Sequence, residues 1–112
     1  MTRVARDEAA HLAQVVKILL SRGGRLGRTH KCQYATDLRQ LVRKGETGDT
    51  LDRLLVSALI EARSCERFSI LATAAHESND SELSAFYKAL FSSELGHFKV
   101  FLRLGSNPKF LP

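Results

Sequence analysis

Tryptophan is absent from the chain, methionine occurs once, and proline occurs only at two positions near the C-terminus. With so little proline, no proline interrupts a regular segment before residue 108. Two cysteines, Cys32 and Cys65, are too few for a disulfide framework and lack the close pairing of a thiolate metal site. They are read as free thiols in a reducing compartment. No uncharged apolar run approaches the length of a membrane span; the longest are Leu54–Ile60 and Phe68–Ala75. The start is not expected to be a secretory leader, because Asp7 and Glu8 interrupt the stretch where an apolar core belongs. These absences leave a chain expected to be cytoplasmic, with no membrane partner.

What is present fits one small domain. The 112 residues are 44% hydrophobic and 26% charged, a globular balance. Positive charge is concentrated at one end. Residues 1–31 hold seven cations against Asp7 and Glu8, while the remaining 81 residues balance ten against ten. In Arg22-Gly-Gly-Arg-Leu-Gly-Arg-Thr-His-Lys31 a cation recurs every third residue through a glycine-broken loop. Arg22, Arg25, Arg28 and Lys31 are therefore candidates for gripping nucleic-acid phosphates. The alternative is a solvated connector.

The apolar periodicity is helical throughout. One helix is expected from about Arg3 to Arg22, stopping at Gly23-Gly24. A short one is expected from about Tyr34 to Lys44, ending at Gly45 before a turn over residues 45–49. A third starts near Asp49-Thr50 and runs to about Ala75. A fourth follows Ser78-Asn79-Asp80, with Asn79 and Glu82 as a capping box, and ends near Gly105. The expected fold class is all-α, with three long helices and one short crossover helix.

On helical wheels, carboxylates fall on the wrong faces. Glu61 shares its face with Leu54, Ala58, Cys65, Phe68 and Ala72. Glu94 and His97 lie with Tyr87, Leu90, Phe98 and Phe101, opposite Lys88, Lys99 and Arg103. Glu8 and His11 lie with Leu12, Val15 and Leu19, opposite Arg3, Arg6 and Lys17. An unpaired buried carboxylate is costly, so a bound cation is the economical solution. Glu8-Ala-Ala-His11 and Glu94-Leu-Gly-His97 are both Glu-x-x-His, a spacing that puts two ligands on one helical face a turn apart. Glu61 and Glu94 stand 17 and 16 residues from position 78, so a hairpin brings them to one height, about 25 Å from the turn. Two Glu-x-x-His helices plus single glutamates from two others make a bundle-core di-iron carboxylate site. Isolated Glu-x-x-His pairs are common surface accidents; two of them, both facing inward with Glu61 in register, point to metal. Such ligands also suit Mn or Zn. His30 and His76 are expected in polar loops, Glu66 as a surface partner of Arg63, and Tyr87 as core filler.

Leu54-Leu-Val-Ser-Ala-Leu-Ile-Glu-Ala-Arg-Ser-Cys-Glu-Arg-Phe68 and Phe86-Tyr-Lys-Ala-Leu-Phe-Ser-Ser-Glu-Leu-Gly-His-Phe98 closely resemble the MiaE family of ferritin-like di-iron tRNA hydroxylases. The segment from Asp7-Glu-Ala-Ala-His-Leu-Ala-Gln-Val15 to Leu41-Val-Arg43 looks like that family's second bundle helix and crossover, so the resemblance covers nearly the whole chain. It implies a single, partial ferritin-like di-iron domain over residues 1–112. It also implies two non-haem irons, O2 as co-substrate, tRNA and an electron donor as partners, and hydroxylation of the isopentenyl group of 2-methylthio-N6-isopentenyladenosine at position 37. Carried over by position, Glu8, His11, Glu61, Glu94 and His97 would be the metal ligands, with Glu61 bridging.

The family carries one more helix, bearing a further Glu, before its first Glu-x-x-His helix. Glu8 stands only seven residues from the start of this chain. Five of six ligands and three of four bundle helices are therefore expected, with an apolar groove where the other helix packs. An N-terminally truncated form, a second chain filling the groove and supplying the Glu, and a non-catalytic descendant are the three explanations. Two other functions compete: a metal-free helical RNA-binding module, and a rubrerythrin- or ferritin-like handler of iron or peroxide.

Overall fold

The structure is a computed structural model that describes residues 2–28, 30–45 and 48–110. It contains four α-helices: α1 (Thr2–Ser21), α2 (Gln33–Gln40), α3 (Asp49–Glu77) and α4 (Ser81–Gly105), followed by a short 3-10 turn at Pro108–Phe110. No strand occurs among the described residues, and no described helix is long and apolar enough to cross a membrane. The chain divides into two compact units, one ending at Lys31 and the other beginning at Cys32.

In the first unit, α1 ends where Gly23 takes a positive φ of 81°. Gly24 N–H donates to the Leu19 carbonyl at 3.0 Å and Gly23 N–H to the Leu20 carbonyl at 3.1 Å. These two bonds satisfy carbonyls that the helix end would otherwise leave open. The half-buried residues of α1 are Val4, Asp7, His11, Val16, Ile18 and Leu19, so His11 and Leu19 keep the expected side while the covered stripe shifts toward Asp7 and Ile18. Glu8 is exposed, as are Leu12 and Val15. The apolar pattern alone could not choose between two adjacent stripes, each carrying aliphatic residues. The basic loop is exposed at Arg22, Arg25, Arg28 and Lys31; Thr29 lies outside the described residues.

The second unit is built on the α3–α4 hairpin. On α3, residues Leu51, Leu54, Ala58, Glu61, Cys65, Phe68, Ala72 and Ala75 recur at alternating steps of three and four, and each is buried or half-buried. On α4, Leu90, Glu94, His97 and Phe101 follow the same rhythm and are all buried. This is the seam pattern of antiparallel helices packed at a shallow angle. The small side chains Ala58, Cys65 and Ala72, seven residues apart, are all buried along this seam. The Ser84 hydroxyl donates to the Ala72 carbonyl at 3.1 Å across the seam.

The turn between these helices satisfies both ends at once. Asn79 adopts φ 59°, Asn79 N–H reaches the His76 carbonyl at 3.0 Å, and Asp80 N–H reaches the Ala75 carbonyl at 2.9 Å. The Asp80 side chain then caps α4 by accepting from Leu83 N–H at 3.2 Å. The cap is thus Asp80, one residue after the expected Asn79, whose left-handed backbone is committed to ending α3. Because of that ending, α3 runs two residues past Ala75. His76 therefore lies in its exposed last turn rather than in a loop.

The helix α2 stops at Gln40, short of the expected Lys44. A long-range clasp explains this. Arg43 donates to Asp52 three times: from its backbone N–H at 2.9 Å, from Nε at 2.8 Å and from Nη2 at 2.8 Å. A bidentate guanidinium–carboxylate pair is among the stronger polar contacts available. It draws the chain out of helical geometry before residue 43. The α3 N-cap, immediately before the helix's first residue Asp49, is Gly48, at φ 101°. A side chain there would be strained and would run into the Arg43 guanidinium. Asp49 instead pairs with Arg53 and accepts from Gly45 N–H at 3.2 Å. Of the turn expected over residues 45–49, Glu46 and Thr47 lie outside the described residues.

Candidate metal centre

The hairpin register carries Glu61 to the level of Glu94 and His97. One ligand atom from each of these three side chains lies within 4.8 Å of the others. Glu94 and His97 are buried, at 4% and 5% exposure, and Glu61 is half-buried. His97 Nδ1 stands 3.5 Å from a Glu94 carboxylate oxygen, the contact expected for side chains one turn apart on one face. Among the described residues, the buried polar set is Ser84, Glu94 and His97, with no Lys or Arg.

Two carboxylates converging in a partly dry seam repel each other unless a proton or a cation is shared between them. Two carboxylates and an imidazole are a hard-to-borderline donor set that suits Fe, Mn or Zn. The nearby sulfur does not join it on the same terms. Burial pushes the Cys65 thiol up from its ordinary range, and the Glu61 carboxylate four residues away pushes it further. The thiol stays protonated, and its Sγ lies 3.9 Å from the Phe91 carbonyl. Toward the hairpin turn, Phe68 and Tyr87 stack with ring centroids 6.2 Å apart, so Tyr87 fills the seam.

The remaining sequence-predicted ligands lie on α1 in the first unit. Glu8 and His11 pair across one turn, with His11 Nδ1 3.9 Å from a Glu8 oxygen. His11 is largely covered, at 18% exposure of its side chain, and Glu8 is open, at 47%. Arg63, expected to pair with Glu66, lies over the Tyr34 ring, 4.1 Å from its centroid. Sequence reasoning did not foresee that contact, which joins residues 29 positions apart on α2 and α3. The Arg43–Asp52 clasp was also missed. Its one signal is an arginine followed nine residues later by an aspartate in the first turn of a helix.

Comparison with known proteins adds the family. The model of the family described as tRNA-(MS[2]IO[6]A)-hydroxylase (MiaE) matches residues 1–109. A tRNA 2-(methylsulfanyl)-N(6)-isopentenyladenosine(37) hydroxylase of Pseudomonas putida is 42% identical over 107 residues, covering 96% of this chain and 50% of the relative. The Salmonella typhimurium protein of the same name is 34% identical over 104 residues, covering 93% of this chain and 37% of the relative. The chain thus spans half or less of the length of these relatives. Among solved structures, a Synechococcus protein described as protein 43 with aldehyde deformylating oxygenase activity superposes with a TM-score of 0.82 at 38% identity. It covers 93% of this chain and 50% of that one. The fold is accordingly ferritin-like and all-α.

Proposed function

The chain belongs to the MiaE family, and on that premise we propose that it acts as an O2-dependent non-haem di-iron hydroxylase of tRNA. Its substrate group is the isopentenyl chain of 2-methylthio-N6-isopentenyladenosine at position 37. The observation that carries this reading is the convergence of Glu61, Glu94 and His97 at one level of the α3–α4 seam. Glu8 and His11, the second Glu-x-x-His pair, would supply the other ligands in this chain beside Glu61, Glu94 and His97. Together they belong to one partial ferritin-like domain over residues 1–112. A further Glu from another helix, in the same protein or a second chain, would complete the family's six-ligand set.

Two irons, when bound, supply the two-electron chemistry with O2 that an unactivated C–H bond requires. The protein's own residues supply the rest. Glu94 and His97 are held on a rigid helix in the seam, so their donor atoms are positioned before any metal arrives. Ala58, Cys65, Leu90 and Phe101 keep the seam dry, and the stacked Phe68–Tyr87 pair closes it toward the turn. A redox partner must deliver electrons, since hydroxylation by O2 reduces the second oxygen atom to water. A tRNA substrate places the protein in the cytoplasm. The exposed cations Arg22, Arg25, Arg28 and Lys31 offer phosphate contacts. If Arg25→Glu with Arg28→Glu leaves tRNA affinity and its salt slope unchanged, that last assignment fails.

The direct test is the nucleoside content of host tRNA. Deleting the gene should convert the hydroxylated nucleoside to its unhydroxylated form, and a Glu94→Ala copy should fail to restore it. Unchanged nucleosides after deletion contradict the reading.

A further inference from the structure

The outer face of α4 has no part in the site just described. Lys88, Ser92, Gly96, Lys99 and Arg103 follow steps of four, four, three and four, so they form one ridge on the helix, and all five are exposed. The ridge spans about 22 Å. No acidic residue interrupts it: the acids of α4 are Glu82, in the first turn before the ridge, and the buried Glu94 on the opposite face. Cations therefore stand at both ends of the ridge, Lys88 at one and Lys99 with Arg103 at the other, with only a serine and a glycine between Lys88 and Lys99.

Gly96 is the second observation. It lies in the interior of a 25-residue helix with no positive φ, so the backbone does not require glycine. A Cβ built there meets nothing within 4 Å, so packing does not require it either. Glycine weakens a helix interior, and a position that keeps it without a fold-level reason suits a close approach to the backbone from outside. With cations on both sides, the approaching group is anionic.

We infer that the Lys88–Arg103 ridge is a docking track for the phosphodiester backbone of an RNA stem, resting against Gly96. The inference rests on the tRNA reading above and extends it to a surface separate from the Arg22–Lys31 loop. The ridge faces away from Glu94 and His97, across about one helix diameter of 10 Å. It positions the stem by charge and leaves the reacting nucleotide to the seam.

The test is fluorescence anisotropy with a labelled anticodon stem-loop RNA across a salt series. The Lys88→Ala, Lys99→Ala, Arg103→Ala triple should weaken binding about tenfold or more near 0.1 M salt. Its slope of log affinity on log salt should fall by about two to three. A control triple on α1, Arg3→Ala with Arg6→Ala and Lys17→Ala, removes the same charge and should do much less. Gly96→Leu keeps every charge and points into open space. It should retain helicity by circular dichroism yet bind RNA several-fold more weakly, with the salt slope unchanged. Equal weakening by the two triples, or binding by Gly96→Leu like that of the unsubstituted chain, overturns the inference. No RNA binding by the unsubstituted chain overturns it together with the tRNA reading, whereas normal binding with unchanged host nucleosides overturns the hydroxylase reading alone.

Discussion

At the scale of single residues, the seam is a compromise between stability and chemistry. Glu94 occupies a position that the surrounding rhythm of Leu90 and Phe101 would give to an aliphatic side chain. It sits within reach of a second carboxylate, Glu61. Replacing buried ionic groups by packed apolar ones is often neutral or stabilising by about 1–4 kcal/mol. Glu94→Leu should therefore leave the melting temperature of the metal-free protein unchanged or raised while abolishing metal binding. A fall of many degrees would show that Glu94 is there for the fold.

The Arg43–Asp52 clasp is the opposite case, an ion pair that serves structure. Hydrogen bonds from the Arg43 side chain and then its backbone hold the Asp52 carboxyl down at about 2, below its ordinary 3.8. A depressed acid favours the folded state when ionised. Its contribution is thus complete above about pH 4 and disappears as the pH falls toward 2. Denaturant melts should show Asp52→Asn to be less stable than the unsubstituted chain at pH 6, with the gap closing near pH 2. A gap that stays constant with pH would contradict the clasp.

At the scale of elements, the α3–α4 hairpin is the most legible part of the chain. Wheels placed Glu61, Glu94 and His97 on apolar faces, and counting from residue 78 put the carboxylates at one height. Both rest on local repeats that a helix enforces. Contacts between separated residues were not legible. The end of α2 moved because Arg43 reaches Asp52, and the covered stripe of α1 differs from the apolar one because Leu12 and Val15 are exposed. The α4 cap moved by one residue because Asn79 was already used in a left-handed turn. That turn gives a prediction of its own. Asn79→Ala should cost about 1 kcal/mol, since alanine tolerates the left-handed region poorly, whereas Asn79→Gly should be neutral or stabilising. Asp80→Ala should cost about 0.5–2 kcal/mol by removing the α4 cap. Thermal or urea melts measure all three, and equal stability of the alanine and glycine variants at residue 79 would contradict the turn assignment.

At the scale of the whole molecule, the chain presents two surfaces of different character. One is a dry seam with two carboxylates and an imidazole. The other is made of open cationic ground, in the Arg22–Lys31 loop and along α4. The net charge of +5 resides in residues 1–31, while the α4 ridge is hidden in the balanced remainder. A composition-level reading finds the first and misses the second. The central claim nevertheless rests on the seam. Anaerobic reconstitution with Fe(II), followed by iron analysis of the desalted protein, tests it most directly. The account predicts bound iron in the unsubstituted chain and its loss in Glu94→Leu and His97→Ala, with helicity retained. An unsubstituted chain that binds no iron, or variants that bind as much as it does, would contradict the account.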